Sequence, residues 1–315
     1  MSASPVKRIL DRVISVPREE LESTYIVRGR PLSDVIDMLG VLRPKVVNIS
    51  ERGNELGIHI PARPMHVVPP LASLAEHLML EVWVTFYDVN GIPVYYVDEP
   101  PIDDVGLKLY VFLRQKVGEL FVTKPAELLS LAEDMMKDFG VDPEPAFAEE
   151  TVKAALYYTF RDMLGYGPLE IPMEDSYVEE VSWFAYDGPV QVVDKKVADV
   201  YPNAEFMPTN LFIEPHMPDL DKKFHMTQVI RAIASKAGAG LTTAKPVVEA
   251  RIPDPTGRGF HRLAAHLDIV SRSPAITIRK FPVVKFSLTE LIRLGTLSPL
   301  EAAYLLWQLM YKGFV

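Results

Sequence analysis

The sequence predicts an α+β fold, and three observations carry that prediction. Two stretches, residues 81–100 and 178–194, alternate apolar and polar residues around a turn dipeptide, as hairpin strands do. Residues 103–165 instead space their apolar side chains at helical intervals. A single amphipathic helix pattern then precedes a run of three alternating strands between residues 246 and 281.

The first hundred residues mix short helical patterns with strand signals. In "EVWVTFYDVNGIPVYYVDEP" the pair Asn90-Gly91 is a type I′ turn signal, and the closing prolines must leave the sheet. "GLKLYVFLRQKVGELF", "KPAELLSLAEDMMKDFG" and "AFAEETVKAALYYTFRDMLGYG" predict a connector of about three helices, with Gly140 and Gly165 placed as C-terminal caps. From Gly167, "VEEVSWFAYDGPVQVVD" predicts strand, Asp187-Gly188 turn and strand, and "TNLFIEP" predicts another strand. Met226, Val229, Ile230, Ile233, Ala234 and Ala237 define one amphipathic helix that Gly238 closes. Near the end, "SLTE" and "SPLE" each put Ser at the N-cap and Glu at N3, so two capped helices are predicted, with Gly313 after the second. This order predicts four parts: a mixed domain over 1–102, a helical connector over 103–166, an α+β domain over 167–281, and a linker with two helices over 282–315.

Composition limits what such a chain can do. Its 33 basic and 42 acidic residues leave a formal charge of −9, which disfavours nucleic acid as a partner because a basic footprint normally supplies that affinity. The absence of cysteine excludes disulfides, thiolate catalysis and cysteine-ligated zinc. Zero Cys with 27 Pro also matches the habit of thermophile proteins. The richest apolar run, "LASLAEHLMLEVWVTFY", is broken by Glu76, His77 and Glu81, and the charged N-terminus lacks the apolar centre of a signal peptide. The expected location is cytoplasmic, without membrane insertion.

Phosphate chemistry is the question raised by "SKAGAGLTTAKPVVEARIPD". A P-loop needs G-x-x-x-x-G-K-[ST], whereas Gly238 and Gly240 are two apart, Lys245 lies five further on, and Pro246 removes an N–H. The glycines end a helix instead. The strands that follow are more informative. Alternation puts Val248, Ala250 and Ile252 on one face of "PVVEARIP", and Leu263, Ala265 and Leu267 on one face of "HRLAAHLDI". With Ile276 and Ile278 inward in "AITIRKF", the residues Arg251, Arg262 and Arg279 project from one outer surface if the strands are neighbours. Guanidinium forks suit phosphate oxygens and can stabilise a transferring γ-phosphoryl group. The competing reading has Arg251 merely paired with Glu249 or Asp268 on a solvated sheet. Adjacent Glu179 and Glu180 point to opposite faces and cannot flank one bond, and His225, His261 and His266 lack ligand spacing.

At these residues the sequence resembles a known family. "LGYGPLEIPMEDSYVEEVSW", "PVVEARIP", "HRLAAHLDIVSRSPAITIRKFP" and "FSLTELIRLGTLSPLEAAYLLW" together are similar to the archaeal secretion-superfamily ATPases, the hexameric traffic ATPases of the type II and type IV secretion class that power assembly of type IV pili and archaella. The likeness spans residues 85–315 in order. It implies a PAS-like domain over 167–281, joined by a linker to a RecA-like motor whose Walker A strand would begin at about Phe314. It therefore implies the non-motor half of an ATPase that uses ATP and Mg²⁺ in its full-length form, while this chain alone binds neither and turns over no ATP. Arg262 in "HRLAA" matches the arginine that reaches nucleotide phosphate across the domain cleft, Arg279 in "TIRKF" matches the linker-proximal arginine, and Arg251 is a weaker third. The turn "PDPTGRGFHR" is longer than the family's and adds Arg258 as an alternative in register to Arg262. The implied partners are the chain's own motor domain, further copies in a hexamer, and a membrane platform protein that would hold the assembly at the inner face of the membrane. The rival expectation is a free-standing adaptor with the same fold and no nucleotide role. A G-x-x-x-x-G-K-[ST] within about ten residues after codon 315 would favour the motor half. A small-molecule-binding module is a third expectation, and it requires a cavity.

Overall fold

A computed structural model describes residues 4–24, 27–49, 63–64, 80, 82–198, 200–201, 205–213, 217–255, 259–281 and 287–311. The chain divides into two compact units, residues 1–281 and 282–315. Changes of secondary structure near residues 103 and 167 fall inside the first of these. The architecture is α+β, with helices and antiparallel sheets.

The first unit opens with helices α1 (Pro5–Val13), α2 (Arg18–Ser23) and α3 (Leu32–Leu39). Ser4 caps α1 by accepting from Lys7 N at 3.1 Å. Strands β1 (Val46–Asn48), β2 (Arg63–Pro64), β3 (Trp83–Val89) and β4 (Ile92–Asp98) form an antiparallel sheet in which β3 is central, paired with β4 on one edge and with β1 and β2 on the other. The β3–β4 hairpin turns at Asn90 (φ 53°) and Gly91 (φ 87°), the two left-handed positions that a type I′ turn requires.

The helical block contains α4 (Asp104–Leu120), α5 (Pro125–Asp138), α6 (Pro143–Ala148) and α7 (Glu150–Thr159). Four helices stand where about three were expected, because Asp142 caps and Pro143 starts a separate short helix ahead of α7. Helix α7 runs without a break into a π-helical turn, Phe160–Leu164. Gly140 ends α5 at φ 71°, as a C-terminal glycine should. Gly165 also stands at a C-cap, closing the π-turn with its N–H donating to Phe160 O at 2.8 Å, but without the left-handed backbone. Its backbone is extended, and glycine is required there by close approach, since a Cβ would lie 2.5 Å from Glu170 Oε2.

Next come α8 (Glu170–Glu174), β5 (Val178–Trp183), β6 (Gln191–Asp194), α9 (Lys195–Ala198) and β7 (Met207–Pro208). The strand expected over "TNLFIEP" is displaced: β7 precedes it, Thr209 and Leu211 make single bridges to Tyr95 and Gly29 and exchange backbone bonds with Val190 (2.9 and 2.8 Å), and residues 214–216 lie outside those described. Asn210 takes up the backbone groups a ladder would have used. Its Oδ1 accepts from Val97 N at 2.8 Å, and its Nδ2 donates to the carbonyls of Arg30 (3.0 Å) and Val97 (2.9 Å), tying the N-terminal sheet to this segment. Helix α10 (Asp219–Lys236) follows, then β8 (Val247–Pro253), β9 (Phe260–His266) and β10 (Ala275–Arg279). The second sheet is antiparallel throughout, in the order β7-β6-β5-β10-β9-β8. Its inner face (Val181, Val248, Leu263, Ile278) packs in one core with α10 residues Met226, Ile230 and Ile233 and with the helical block.

In the second unit, α11 (Leu288–Arg293) and α12 (Pro299–Met310) both begin with the expected capping boxes. Ser287 Oγ accepts from Glu290 N and Ser298 Oγ from Glu301 N, each at 3.2 Å. Gly313 lies outside the described residues, as does Phe314. Among the described residues no helix is long and apolar enough to cross a membrane.

Candidate functional site

Strand alternation and register together decide where the arginines stand. Burial follows the alternation around the arginines: Val248, Ile252, Leu263, Ile276 and Ile278 are buried and Arg251, Arg262 and Arg279 exposed, whereas outward Ala275 is buried and Thr277 and inward Ala250 are half-buried. Arg251 is directly opposite Arg262 in the β8–β9 pair, and Arg262 is directly opposite Arg279 in the β9–β10 pair. The three therefore occupy a single rung, on the same exposed face, with about 5 Å between neighbouring Cα atoms. The rung continues onto β5 at Glu180, the register partner of Arg279. Arg258 lies outside the described residues.

Like charges directly opposite one another weaken a sheet, so the rung costs stability that a solvated sheet would not need to spend on three guanidinium groups. Only part of the charge is answered locally. Arg262 Nη2 meets Glu249 Oε2 at 3.2 Å, with both side chains about two-thirds exposed (65% and 68%). An exposed pair of that kind contributes ~0–1 kcal/mol and leaves the guanidinium free to exchange partners. Among the described residues Arg251 and Arg279 have no carboxylate within 4 Å. The pairing of Arg251 with Glu249 or Asp268 that the competing reading requires thus does not form; Glu249 turns to Arg262 instead.

Two aromatic residues flank the rung. Phe260 precedes Arg262 by two positions on the same strand face, and Phe281 follows Arg279 by two; they are 57% and 55% exposed. On the buried side of β9, His261 sits 3.4 Å from Asp254 and accepts at Nδ1 from Phe281 N at 3.2 Å. Burial, the largest influence, holds the His261 imidazole below its ordinary pKa, so it is a neutral core group rather than part of the charged face.

Behind the sheet lies a second polar system that the sequence reading missed. The π-turn after α7 carries Arg161 into the core, where its side chain is 1% exposed. Its Nη1 donates to Glu99 Oε1 at 2.7 Å, its Nε donates to Asp162 Oδ1 at 2.7 Å, and its guanidinium carbon lies 4.7 Å from the Tyr158 ring centroid. Glu99 also accepts from Tyr157 Oη (2.8 Å) and Gly29 N (2.7 Å), and Asp162 from Tyr110 Oη (3.0 Å). The signal was present in "YYTFRDM", where an Arg-Asp pair interrupts an otherwise apolar helix.

Nearby, Glu170 and Glu174 face one another in the core. Burial pushes Glu170 up to about 7. It pushes Glu174 to about 10, with the charge of Glu170 adding to the rise. Two histidines are perturbed oppositely: burial, then Arg114 and Arg161, hold His225 down to about 4, and His261 is lowered as above. The signs follow from linkage. A carboxyl raised in the folded state stabilises it fully below its unfolded pKa and loses that contribution as pH rises through the folded value; a lowered histidine stabilises above its unfolded pKa and loses that contribution as pH falls. Between about pH 4.5 and 6.5 the two pairs oppose each other. Above that window the histidines no longer offset the raised carboxyls, so unfolding free energy is expected to fall as pH rises from about 7 toward 10. Denaturant midpoints across this range check it, and Glu174→Gln should flatten the alkaline fall; an unaltered fall in that variant would contradict the assignment.

No family model matches the chain. It is 23% identical over 201 residues to an uncharacterised protein of Methanocaldococcus jannaschii, covering 60% of this chain and 74% of that one. Two further uncharacterised proteins of the same organism are 30% identical over 158 residues and 29% identical over 219 residues. Those matches cover 50% and 68% of this chain but only 25% and 27% of the relatives, so the chain spans about a quarter of the length of each. Among solved structures, the VirB11 ATPase of the Brucella suis type IV secretion system, in complex with sulphate, overlaps 42% of this chain and 34% of its own at 17% identity and a TM-score of 0.30. At that score the overlap fixes neither fold nor function here.

Proposed function

We propose that this chain is the non-motor part of a secretion-type traffic ATPase, and that its arginine rung closes over the phosphates of ATP·Mg²⁺ held by a motor domain. The observation that carries the reading is the direct register of Arg251, Arg262 and Arg279 across three neighbouring strands of an acidic protein. Guanidinium groups so aligned present a fork-shaped donor surface to an anion, and a polyphosphate is the anion whose length and charge match such a row. Arg262 stands in the middle and would reach the γ-phosphoryl group, with Arg279 beside it and Arg251 at the outer strand. The motifs shared with archaeal secretion ATPases support the same assignment, and two relatives extend far beyond the matched segment, which leaves room in such proteins for a motor.

The mechanism is rigid-body closure. Phosphate contacts made only in the closed state shift the equilibrium toward it, and loss of the γ-phosphate on hydrolysis releases it. The sequence carries no G-x-x-x-x-G-K-[ST] motif, so the role proposed for this chain is electrostatic stabilisation of charge on a nucleotide bound elsewhere. Association as a hexamer and docking on a membrane platform protein at the inner face of the membrane belong to this proposal. The test is ATP turnover by the motor that this domain serves, in the same polypeptide or supplied separately, with Arg262 intact and with Arg262→Ala; an adaptor without a nucleotide role would show no difference.

A further inference from the structure

A cavity of about 590 Å³ runs between α10 and the helical block, within the range of small-molecule sites. One wall is α10 itself, from Asp221 to Lys236, a length of roughly 22 Å at 1.5 Å per residue. The opposite wall is Tyr110 and Arg114 of α4 and the π-turn with Arg161 and Asp162. The lining includes an apolar set, Val229, Ala232 and Ile233 of α10 and Met163 of the π-turn. Single π-turns within helices recur at functional sites, and this one aims its residues into the cavity.

The charges in the lining are not equivalent. The Arg161 charge is answered by Glu99 and Asp162, as described above. Lys236 at the far end donates to Leu164 O at 2.6 Å. Arg114 differs, since among the described residues it makes no ion pair and no hydrogen bond, yet it lies close enough to His225 to help hold that imidazole down. Asp221 is the carboxylate at the same end of α10 and is half-exposed. The cavity thus offers an apolar body site with the exposed guanidinium of Arg114 at its rim, next to the half-buried imidazole of His225.

We infer that this cavity binds a small amphipathic anion, its apolar part against Val229, Ala232 and Ile233 and its carboxylate or phosphate head on Arg114 beside His225. An anion in that position favours the imidazolium, so occupancy raises the pKa of His225 from its low value, a change that apolar binding alone does not cause. The site is separate from the arginine rung and stands or falls independently of it.

The experiment titrates the full chain with octanoate, octyl phosphate, octanol and octylamine, reading affinity by calorimetry and the His225 ring proton by NMR across pH. Octanoate or octyl phosphate is expected to bind and to move the His225 titration upward; which of the two does so identifies the head group. Octanol should bind at least roughly 10-fold more weakly, as loss of one charge-assisted contact implies. Arg114→Gln should weaken the anion by a similar factor without affecting octanol. Ala232→Trp, at an exposed position of α10, should block all of them, and Arg262→Ala should change none. Equal affinity for octanol and octanoate, an anion affinity untouched by Arg114→Gln, or a His225 titration that no ligand moves would each overturn the inference.

Discussion

Arg161→Ala is expected to lower folding stability by about 3–5 kcal/mol, the range for removing one partner of a buried charge network. The reason is the state of the groups left behind. Glu99 would keep its bonds from Tyr157 Oη and Gly29 N but lose the ion pair with Arg161, its one salt bridge among the described residues, in a side chain 3% exposed. Asp162 would lose two contacts to the guanidinium, and Tyr158 its cation–π neighbour. For a chain of this size, the loss should appear as a fall in melting temperature of about 10 °C. The double variant Arg161→Met, Glu99→Gln removes both charges at once, and it should recover much of the loss, because an uncharged pair leaves no orphaned ion. A loss below about 1 kcal/mol for Arg161→Ala would show that Glu99 finds another cation or water at no great cost.

Arg262→Ala, read in ATP turnover with the partner motor, is expected to cost about 10²-fold or more, comparable with removing one preorganised donor from a transition state. Folding should hardly change. The side chain is exposed, and its contact with Glu249 is a solvated one. Arg262→Lys should fall between, since an ammonium keeps the charge but cannot present two parallel donors. Unchanged turnover in the alanine variant would remove Arg262 from the site and leave the adaptor reading in its place.

Much of the fold could be read from local chemistry. Asn90-Gly91, the two capping boxes and Gly140 each satisfy a backbone requirement with a specific side chain or with the absence of one, so three to four residues suffice to identify them. The arginine rung was legible for a related reason. Alternation assigns each residue a face, and three neighbouring strands with inward aliphatics leave their arginines outward together. Their direct opposition was not legible, because register is set by pairing between strands.

What escaped the sequence depended on contacts between distant segments. "TNLFIEP" has strand composition, yet Asn210 bonds to Val97 and Arg30, 113 and 180 residues away, in place of a ladder. Gly165 caps the π-turn as its position suggested, but it is glycine because Glu170 crowds it and not because its backbone is left-handed. Helix α10 showed its core stripe in sequence, but periodicity alone gives no sign that Asp221, Phe224, Gln228 and Ala232, on its other side, line a cavity. Nothing local says that the π-turn will stand opposite them.

The central claim is that the three arginines act together on one polyphosphate. Titrating the chain with tripolyphosphate while recording the Nε–Hε signals of its arginine side chains tests this most directly, at the millimolar concentrations that a few charge-assisted bonds support without a motor domain (Kd 1 mM corresponds to about −4 kcal/mol). The signals of Arg251, Arg262 and Arg279 should move along a shared binding curve while other arginines stay in place, and Arg262→Ala should abolish the response of the other two. Signals that remain still, or that drift equally in every arginine of the protein, would contradict the account.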